Sequence, residues 1–189
     1  MHPRERPRPG RNDYYMGIAM AVRRRANCLG NRVGAIVVLD SRIVSTGYNG
    51  TPEGMTNCLD GGCSRCADRE RYPSGSAYDL CICVHAEQNA LLAAARFGIA
   101  VQGGTVYSTM QPCFGCTKEM LQAGISRVFY IHDWSHPDPH SRAEYARLQA
   151  RFPGGIHRFE VEDADRDWAV SAARPDPSLP LDETGHPPP

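Results

Sequence analysis

The sequence has little that would place the chain in a membrane, on a nucleic-acid backbone or outside the cell. No window approaches the ~20 consecutive apolar residues that a membrane-spanning helix needs. Residues 1–10 carry charge but no apolar stretch, so we expect no secretory signal and a cytoplasmic location. Lys+Arg and Asp+Glu both number 21, and zero formal net charge argues against a non-specific nucleic-acid binder. Lysine is nearly absent, with Lys118 alone, which we interpret as genome composition.

Cysteine, by contrast, is plentiful, with eight residues. An even number suggests a disulfide framework in a small secreted protein. A chain of 189 residues that is expected to stay in the cytoplasm does not fit that class. Clustered cysteines in a reducing compartment bind metal more often than they pair with each other. We therefore predict metal sites.

Composition divides the chain into one domain and two tails. Residues 1–10 are rich in Arg and Pro, and residues 171–189 are rich in Pro, so we expect both segments to be disordered. Residues 11–170 hold nearly all of the apolar side chains and are predicted to form a single domain.

Hydrophobic patterning predicts an α/β fold with a central mixed five-stranded sheet between two helical layers. The β-branched run at residues 33–39 is typical of a strand buried on both faces, and residues 42–47 complete a hairpin. Further strands are predicted at 105–109, 127–131 and 156–161. Helices are predicted from an Asn12–Asp13 cap to 26, and at 84–97, 112–123 and 141–150.

Residues 51–84 form a polar, Gly-rich and Cys-rich insertion with little periodicity. A structureless loop of this length inside a compact domain is uncommon unless something holds it in place. The insertion is therefore a first, independent indication of a structural metal.

A catalytic zinc site is predicted where two helices begin. His85 opens one helix, and Cys113 and Cys116 open another at C-x-x-C spacing, where the helix dipole favours thiolate. One nitrogen and two sulfurs suit Zn²⁺ and leave a fourth tetrahedral position for water, whose pKa the metal lowers toward ~7. Glu87 is in the first turn beside His85, where a carboxylate can act as general acid and base.

The H-x-E and P-C-x-x-C pair is a known signature of zinc deaminases, and the chain resembles the cytidine/deoxycytidylate deaminase family. Within it, the chain is most similar to deoxycytidylate (dCMP) deaminases. Two features are specific: G-Y-N-G-T-P at residues 47–52, and the Cys-rich insertion before H-A-E. Adenosine deaminases that act on tRNA lack both features. The other matching segments are residues 33–38, 85–90, 112–118 and 121–125.

This resemblance implies a cytidine-deaminase-like three-layer α/β/α fold and a zinc deaminase domain at residues 11–170. The implied reaction converts dCMP and water to dUMP and ammonia, with Glu87 moving the proton. Asn49 corresponds to a family residue that binds the sugar. Trp134 stands where members often have Tyr beside the pyrimidine, and it keeps the stacking face but lacks the hydroxyl. Members form homo-oligomers, as dimers or hexamers, and some respond to dCTP and dTTP.

Two alternative functions remain open from the sequence. One is deamination of another cytosine nucleotide, a modified pyrimidine or a nucleic-acid base. The candidate phosphate contacts for this alternative are Arg4, Arg6, Arg8, Arg11, Arg23, Arg24 and Arg25. The other is a non-catalytic zinc-binding interaction module, which would be marked by the loss of Glu87 or of the open zinc position. The acidic run at residues 160–167 is expected to be a solvated edge, and His132 to lie in a surface loop.

A second, structural zinc is predicted from the remaining six cysteines. The resemblance to phage members implies Cys28, Cys58 and Cys83, with Cys63, Cys66 or Cys81 as the fourth ligand. By spacing alone, a rival closed site consists of Cys63, Cys66, Cys81 and Cys83. Some of these residues are alternatively small buried thiols.

Overall fold

The computed structural model describes residues 7–72 and 76–171. Its five-stranded sheet has the order β2-β1-β3-β4-β5. The strands are β1 Gly34–Leu39, β2 Arg42–Tyr48, β3 Thr105–Met110, β4 Arg127–His132 and β5 Ile156–Arg158. The helices are α1 Arg11–Arg23, α2 Ser64–Ala67, α3 Ala86–Arg96, α4 Phe114–Gln122, α5 Pro139–Gln149 and α6 Arg166–Ala169, with a 3₁₀ turn at Cys58–Asp60.

The sheet is mixed, as predicted. Strand β1 pairs antiparallel with β2 and β3, whereas β3 pairs parallel with β4 and β4 pairs parallel with β5. The parallel pairing follows from the helical crossovers α4 and α5, which return the chain to the same end of the sheet. The helices α4 and α5 therefore begin at the same end of the sheet, where β3 and β4 end.

Helices cover both faces of the sheet. Alternating side chains of β1 point to opposite faces, so Ile36 packs with α1 while Val37 packs with α3 and α4. The α1 face is closed by Tyr15, Met16, Ala19, Val38, Tyr107 and Ile131. The α3–α4 face is closed by Ala90, Val106, Met120, Ile125, Val128 and Phe152. This confirms the predicted three-layer α/β/α fold and the burial of β1 on both sides.

Several element boundaries differ from the predictions. Helix α1 begins at Arg11 after Gly10, so the predicted Asn12–Asp13 cap is wrong. It ends at Arg23 because the following residues turn to pair with the loop after β2, where the Asn27 amide donates to the Asn49 carbonyl at 3.1 Å. Strand β5 is three residues long instead of six.

The outermost segments lie partly outside the described residues. Residues 1–6 and 172–189, which include most of both predicted tails, are not described, and residues 7–10 carry no regular structure. Among the described residues, every helix is too short or too polar to cross a bilayer.

The acidic run near the C-terminal end of the domain is not a simple solvated edge. The Asp163 side chain is only 3% exposed and accepts two hydrogen bonds from the fully buried Arg23, both at 2.7 Å. His132 Nε2 lies 2.6 Å from the same carboxylate. His132 ends β4 instead of standing in a surface loop, and Arg23 is unavailable as a phosphate contact. The network joins α1, β4 and the segment before α6.

Acid is expected to weaken this network. Burial alone would raise the pKa of Asp163, but the bonds from Arg23 and His132 outweigh it and hold the pKa at about 2. Since the unfolded value is ~3.9, the stabilisation is complete above pH ~4 and is lost as the pH falls toward 2. The titrating contribution to the unfolding free energy amounts to about 2–3 kcal/mol.

The Asp163→Asn variant tests this expectation. It removes the closest partner of the buried Arg23 charge and leaves only the more distant Asp165 carboxylate, at 3.8 Å, so we expect a loss of about 3 kcal/mol in unfolding free energy at pH 7. The difference in unfolding free energy between the variant and wild type, measured by urea titration, should decrease between pH 4 and pH 2. Asp167→Asn, at an exposed position of the same run, is the control and should change little. A gap that is constant across this pH range would contradict the assignment.

Candidate active site and metal centre

His85 and Glu87 are held at the start of α3 by a hydrogen-bonded link to α4. His85 is the residue before the first turn, and its backbone amide donates to Gln88 Oε1 at 2.9 Å. Gln88 Nε2 in turn donates to Glu119 Oε1 on α4 at 2.8 Å. Gln88 therefore connects the start of α3 to α4 and fixes the position of one helix relative to the other.

The predicted zinc ligands come together at this junction. Cys113 precedes the first turn of α4, and Cys116 lies within that turn. His85 Nδ1 is 3.3 Å from Cys113 Sγ and 3.4 Å from Cys116 Sγ, and the two sulfurs are 3.6 Å apart. A tetrahedral zinc with bonds of ~2.0 Å to nitrogen and ~2.3 Å to sulfur needs ligand atoms about 3.5–3.8 Å apart. The donor set fits zinc in type and in spacing.

The three predicted ligands shift one another's pKa values. The hydrogen bond with Cys116 lowers the pKa of Cys113 to about 4, and His85 adds to this effect while burial opposes it. Burial lowers the pKa of His85, but the neighbouring Cys113 outweighs this and raises it to about 9. Zinc binds thiolate and neutral imidazole, so metal binding at this site would release protons.

Glu87 is a buried carboxylate beside the metal ligands. Only 4% of the residue is exposed. Ser108, fully buried on β3, donates its hydroxyl proton to Glu87 Oε1 at 2.7 Å. Burial raises the pKa of Glu87 and His85 acts in the opposite direction. A carboxylate that is oriented by one hydrogen bond and has a raised pKa suits proton transfer.

The end of β2 and the loop after it pack against the start of α3. Gly47 lies so close to α3 that a Cβ there would stand 2.2 Å from the Ala86 carbonyl oxygen and 2.4 Å from the Ala90 amide nitrogen. Gly50 then pairs with Val84 through two backbone hydrogen bonds of 2.8 and 3.2 Å. The predicted G-Y-N-G-T-P segment therefore positions the residues that lead into His85.

Asn49, the predicted sugar-binding residue, is also a structural residue. Its Oδ1 accepts from the Val33 amide at 2.8 Å, and its Nδ2 donates to the Asn31 carbonyl at 2.7 Å. An Asn amide group has two donors and two acceptor sites, so these bonds use half of its capacity. The remaining half is compatible with a polar ligand.

One cleft contains Asn49, Glu87, His85, Cys113 and Trp134. Its empty volume is about 750 Å³, including the part open to solvent. The cleft therefore joins the metal ligands, the predicted proton carrier and both predicted substrate-binding residues.

Trp134 is fixed at the cleft by its backbone and by its neighbours. Its amide donates to Gln111 Oε1 at 3.2 Å, and its ring meets Tyr145 edge-on at 5.5 Å between centroids. The Tyr145 hydroxyl donates to the Pro112 carbonyl, immediately before Cys113. The aromatic wall and the metal ligands are thus parts of one packed unit.

Sequence reasoning missed three cleft residues, all from the Cys-rich insertion: Arg65, Arg69 and Tyr78. Tyr78 approaches His85 and Trp134 edge-on, at 6.0 and 6.5 Å between ring centroids. Arg65 is buried and donates to the Ser76 carbonyl at 2.9 Å. The arginine content of the insertion was the only available signal, and it did not indicate which arginines face the cleft.

The other six cysteines form two overlapping groups of four. One group is Cys28, Cys58, Cys66 and Cys83, and the other is Cys63, Cys66, Cys81 and Cys83. Within each group all sulfurs lie within 4.8 Å of one another. The two predicted alternatives are therefore both compatible with the structure, and all eight cysteines are free thiols.

Several known proteins are similar in sequence to about two thirds of this chain. The deoxycytidylate deaminase of Saccharomyces cerevisiae is 43% identical over 129 residues, covering 67% of this chain and 39% of the relative. That of Schizosaccharomyces pombe is 40% identical over 134 residues, covering 71% of this chain and 40% of the relative. The chain thus spans about two fifths of these two relatives. That of Mycobacterium phage D29 is 40% identical over 131 residues, covering 65% of this chain and 95% of the relative.

A solved structure agrees with the sequence comparison. The dCMP deaminase of cyanophage S-TIM5, solved in complex with dCMP and dUMP, has a TM-score of 0.60 at 26% identity, covering 82% of this chain and all of that chain. The family model "Cytidine and deoxycytidylate deaminase zinc-binding region" matches residues 9–132, more than half of the sequence. The resemblance inferred from the motifs is confirmed: the chain belongs to the cytidine and deoxycytidylate deaminase family.

Proposed function

We propose that the chain is a zinc-dependent deaminase that converts dCMP and water to dUMP and ammonia. One observation carries the proposal: the buried Glu87 stands beside the His85, Cys113 and Cys116 ligand set, in a cleft that also contains Asn49 and Trp134. The deoxycytidylate deaminases similar to this chain support the choice of dCMP.

The proposed chemistry divides between the metal and the protein. Bound zinc would activate water at neutral pH by lowering its pKa. The Glu87 carboxylate accepts a proton from the attacking water and donates it to N3 of the cytosine ring. It then takes the proton of the new hydroxyl group on C4 and donates it to the departing amine, so that the C4–N bond breaks and ammonia leaves as the C4 carbonyl forms. Ser108 keeps Oε1 of Glu87 oriented during these transfers. Burial keeps bulk water from competing for the proton.

Four residues of the cleft are proposed to bind the substrate. We propose that Trp134 and Tyr78 contact the pyrimidine and that Asn49 binds the sugar with its remaining amide capacity. Arg69 is exposed at the cleft and its guanidinium contacts the Leu29 carbonyl only weakly, at 3.4 Å. An arginine in this position suits a phosphate group.

The Arg69→Ala variant is expected to discriminate between substrates. Loss of a charge-assisted hydrogen bond should raise KM for dCMP about 10-fold to 100-fold and leave turnover of deoxycytidine unchanged. Arg71→Ala, which removes a nearby exposed arginine that is stacked on Tyr72 instead, is the control and should behave as wild type. Equal effects on dCMP and deoxycytidine would contradict the phosphate role.

The Cys-rich insertion is proposed to bind structural zinc. Closed four-sulfur sites are typical structural zinc sites, and either group of four sulfurs would hold the insertion against the cleft. Because His85 follows Cys83 by two residues, the metal would also stabilise the entry to α3.

Assembly, regulation and location are proposed from the family resemblance. We propose a homo-oligomer, either a dimer or a hexamer, which is supported by the exposed apolar side chains of Leu92, Phe97 and Ile99 at the C-terminal end of α3. Regulation by dCTP and dTTP is proposed on the resemblance alone. Eight free thiols suit the reducing cytoplasm.

A substrate panel tests the proposed function. Ammonia release should be fastest with dCMP and much slower with CMP, dCTP, deoxycytidine and single-stranded DNA. Assays of the same preparation with added dCTP or dTTP test regulation. Its molar mass, measured by light scattering, tests assembly. Preference for single-stranded DNA would favour the nucleic-acid alternative. No activity on any substrate by zinc-loaded protein would favour the non-catalytic module.

A further inference from the structure

We infer that the six cysteines outside the catalytic set bind two zinc ions, with the sulfurs of Cys66 and Cys83 shared between them. This inference rests on the structural zinc proposed above and specifies its form. The six-sulfur cluster consists of Cys28, Cys58, Cys63, Cys66, Cys81 and Cys83.

The sulfur spacings in the cluster are those of metal ligands. Around a tetrahedral zinc with Zn–S bonds of ~2.3 Å, neighbouring sulfurs are about 3.8 Å apart. In the first group Cys28 and Cys66 are 3.9 Å apart. In the second group Cys66 and Cys81 are 3.7 Å apart, and Cys63 and Cys81 are 3.9 Å apart. A disulfide would need ~2.05 Å, so these sulfurs are arranged for coordination.

The way the two groups overlap indicates two metals. They have two members in common, Cys66 and Cys83, and each adds two of its own. Two tetrahedra that share one edge have this composition: two shared corners and two separate corners each. One ion in either group would leave the other pair of cysteines unligated although their sulfurs have metal-ligand spacing.

The second ion does not add buried charge. Two Zn²⁺ with six thiolates carry the same net charge as one Zn²⁺ with four thiolates, because the two extra thiolates neutralise the extra ion. Backbone amides also stabilise the unshared sulfurs: Gly30 donates to Cys28 Sγ and Leu29 to Cys58 Sγ, both at 3.3 Å. Amide donors of this kind are usual around metal-bound thiolates.

The cluster would join separate segments of the chain. Its ligands come from the connection between α1 and β1, from the 3₁₀ turn, from α2 and from the residues before α3. Both groups include Cys83, whose chain leads directly into His85. An ion in the first group would already join all four segments. The second ion would add Cys63 and Cys81, which flank in sequence the stretch that carries the cleft residues Arg65, Arg69 and Tyr78.

Metal counting on the full chain tests the inference. Elemental analysis and native mass spectrometry of protein purified under reducing conditions should give three zinc ions per chain. The Cys113→Ala/Cys116→Ala variant, which lacks the catalytic set, should retain two. A count of two in wild type and one in this variant would overturn the binuclear cluster.

Cadmium NMR gives a second readout. In ¹¹³Cd-loaded protein the two cluster ions should give separate resonances that split each other through the shared sulfurs. Cys81→Ser removes a ligand of the second group only, so it should lose one ion and the splitting while the other resonance persists. Two resonances without coupling in the loaded wild type would also overturn the inference, even if the variant failed to fold.

These results separate the cluster from the proposed function. Three zinc ions per chain with no dCMP deamination would leave the cluster standing and reject the function. Active enzyme with two ions per chain would support the function and reject the cluster.

Discussion

Glu87→Gln is expected to lower turnover of dCMP by about three to four orders of magnitude while the protein keeps its fold and its zinc. The side chains are nearly equal in size, and the Gln amide oxygen can still accept the hydrogen bond from Ser108. What is lost is the ability to take a proton from water and pass it to the ring. The effect should therefore appear in kcat, with a smaller change in KM.

Two measurements make this test specific. Zinc content and thermal unfolding should match wild type, which excludes loss of the site as the cause. Glu53→Gln removes an exposed carboxylate outside the cleft and should retain full activity. A Glu87→Gln enzyme that keeps substantial activity would refute the proposed acid–base role.

Gly47→Ala is expected to cause a large loss of stability, although it adds only one methyl group. The added carbon would stand 2.2 Å from the Ala86 carbonyl oxygen and 2.4 Å from the Ala90 amide nitrogen, both backbone atoms of α3. Backbone cannot rotate away as a side chain can, so strand β2 and helix α3 must separate. We expect a loss of about 3 kcal/mol in unfolding free energy.

The same variant should lose activity beyond its loss of stability. Moving α3 moves His85 and Glu87 together relative to Cys113 and Cys116 on α4. A displacement of about 1 Å costs on the order of 10²-fold in rate. The expected result, measured well below the melting temperature, is a folded protein with reduced kcat.

Gly17→Ala is the matched control. Gly17 is exposed on α1, and nothing lies within 4 Å of its added Cβ. Alanine there should stabilise the helix by up to about 1 kcal/mol and leave activity unchanged. If Gly47→Ala also had wild-type stability and activity, the close packing of β2 against α3 would be wrong.

Local patterns were enough to predict most of the fold. The run at residues 33–39 indicates a buried strand because a strand covered on both faces needs apolar side chains on each. The H-x-E and P-C-x-x-C segments precede helices whose starts the flanking residues mark. Short-range chemistry of this kind also identified the family, since both segments carry the residues that zinc deamination requires.

Boundaries were less accurate where distant segments compete with local preference. The cap predicted at Asn12–Asp13 does not form, and α1 stops at Arg23 because the next residues pair with the loop after β2. Asp163 looked solvated within an acidic run, yet Arg23, 140 residues earlier, draws it into a buried ion pair. An ion pair between residues so far apart in sequence cannot be predicted from local composition.

The sequence by itself determined the strands, the helices and the residue types of the metal chemistry, because these depend on neighbours a few positions apart. Only the tertiary structure decided which residues of the insertion face the cleft, namely Arg65, Arg69 and Tyr78. It alone also decided that six cysteines form two groups sharing Cys66 and Cys83. Spacing along the chain limits which sulfurs can meet, but contacts between segments far apart in sequence determine which ones do.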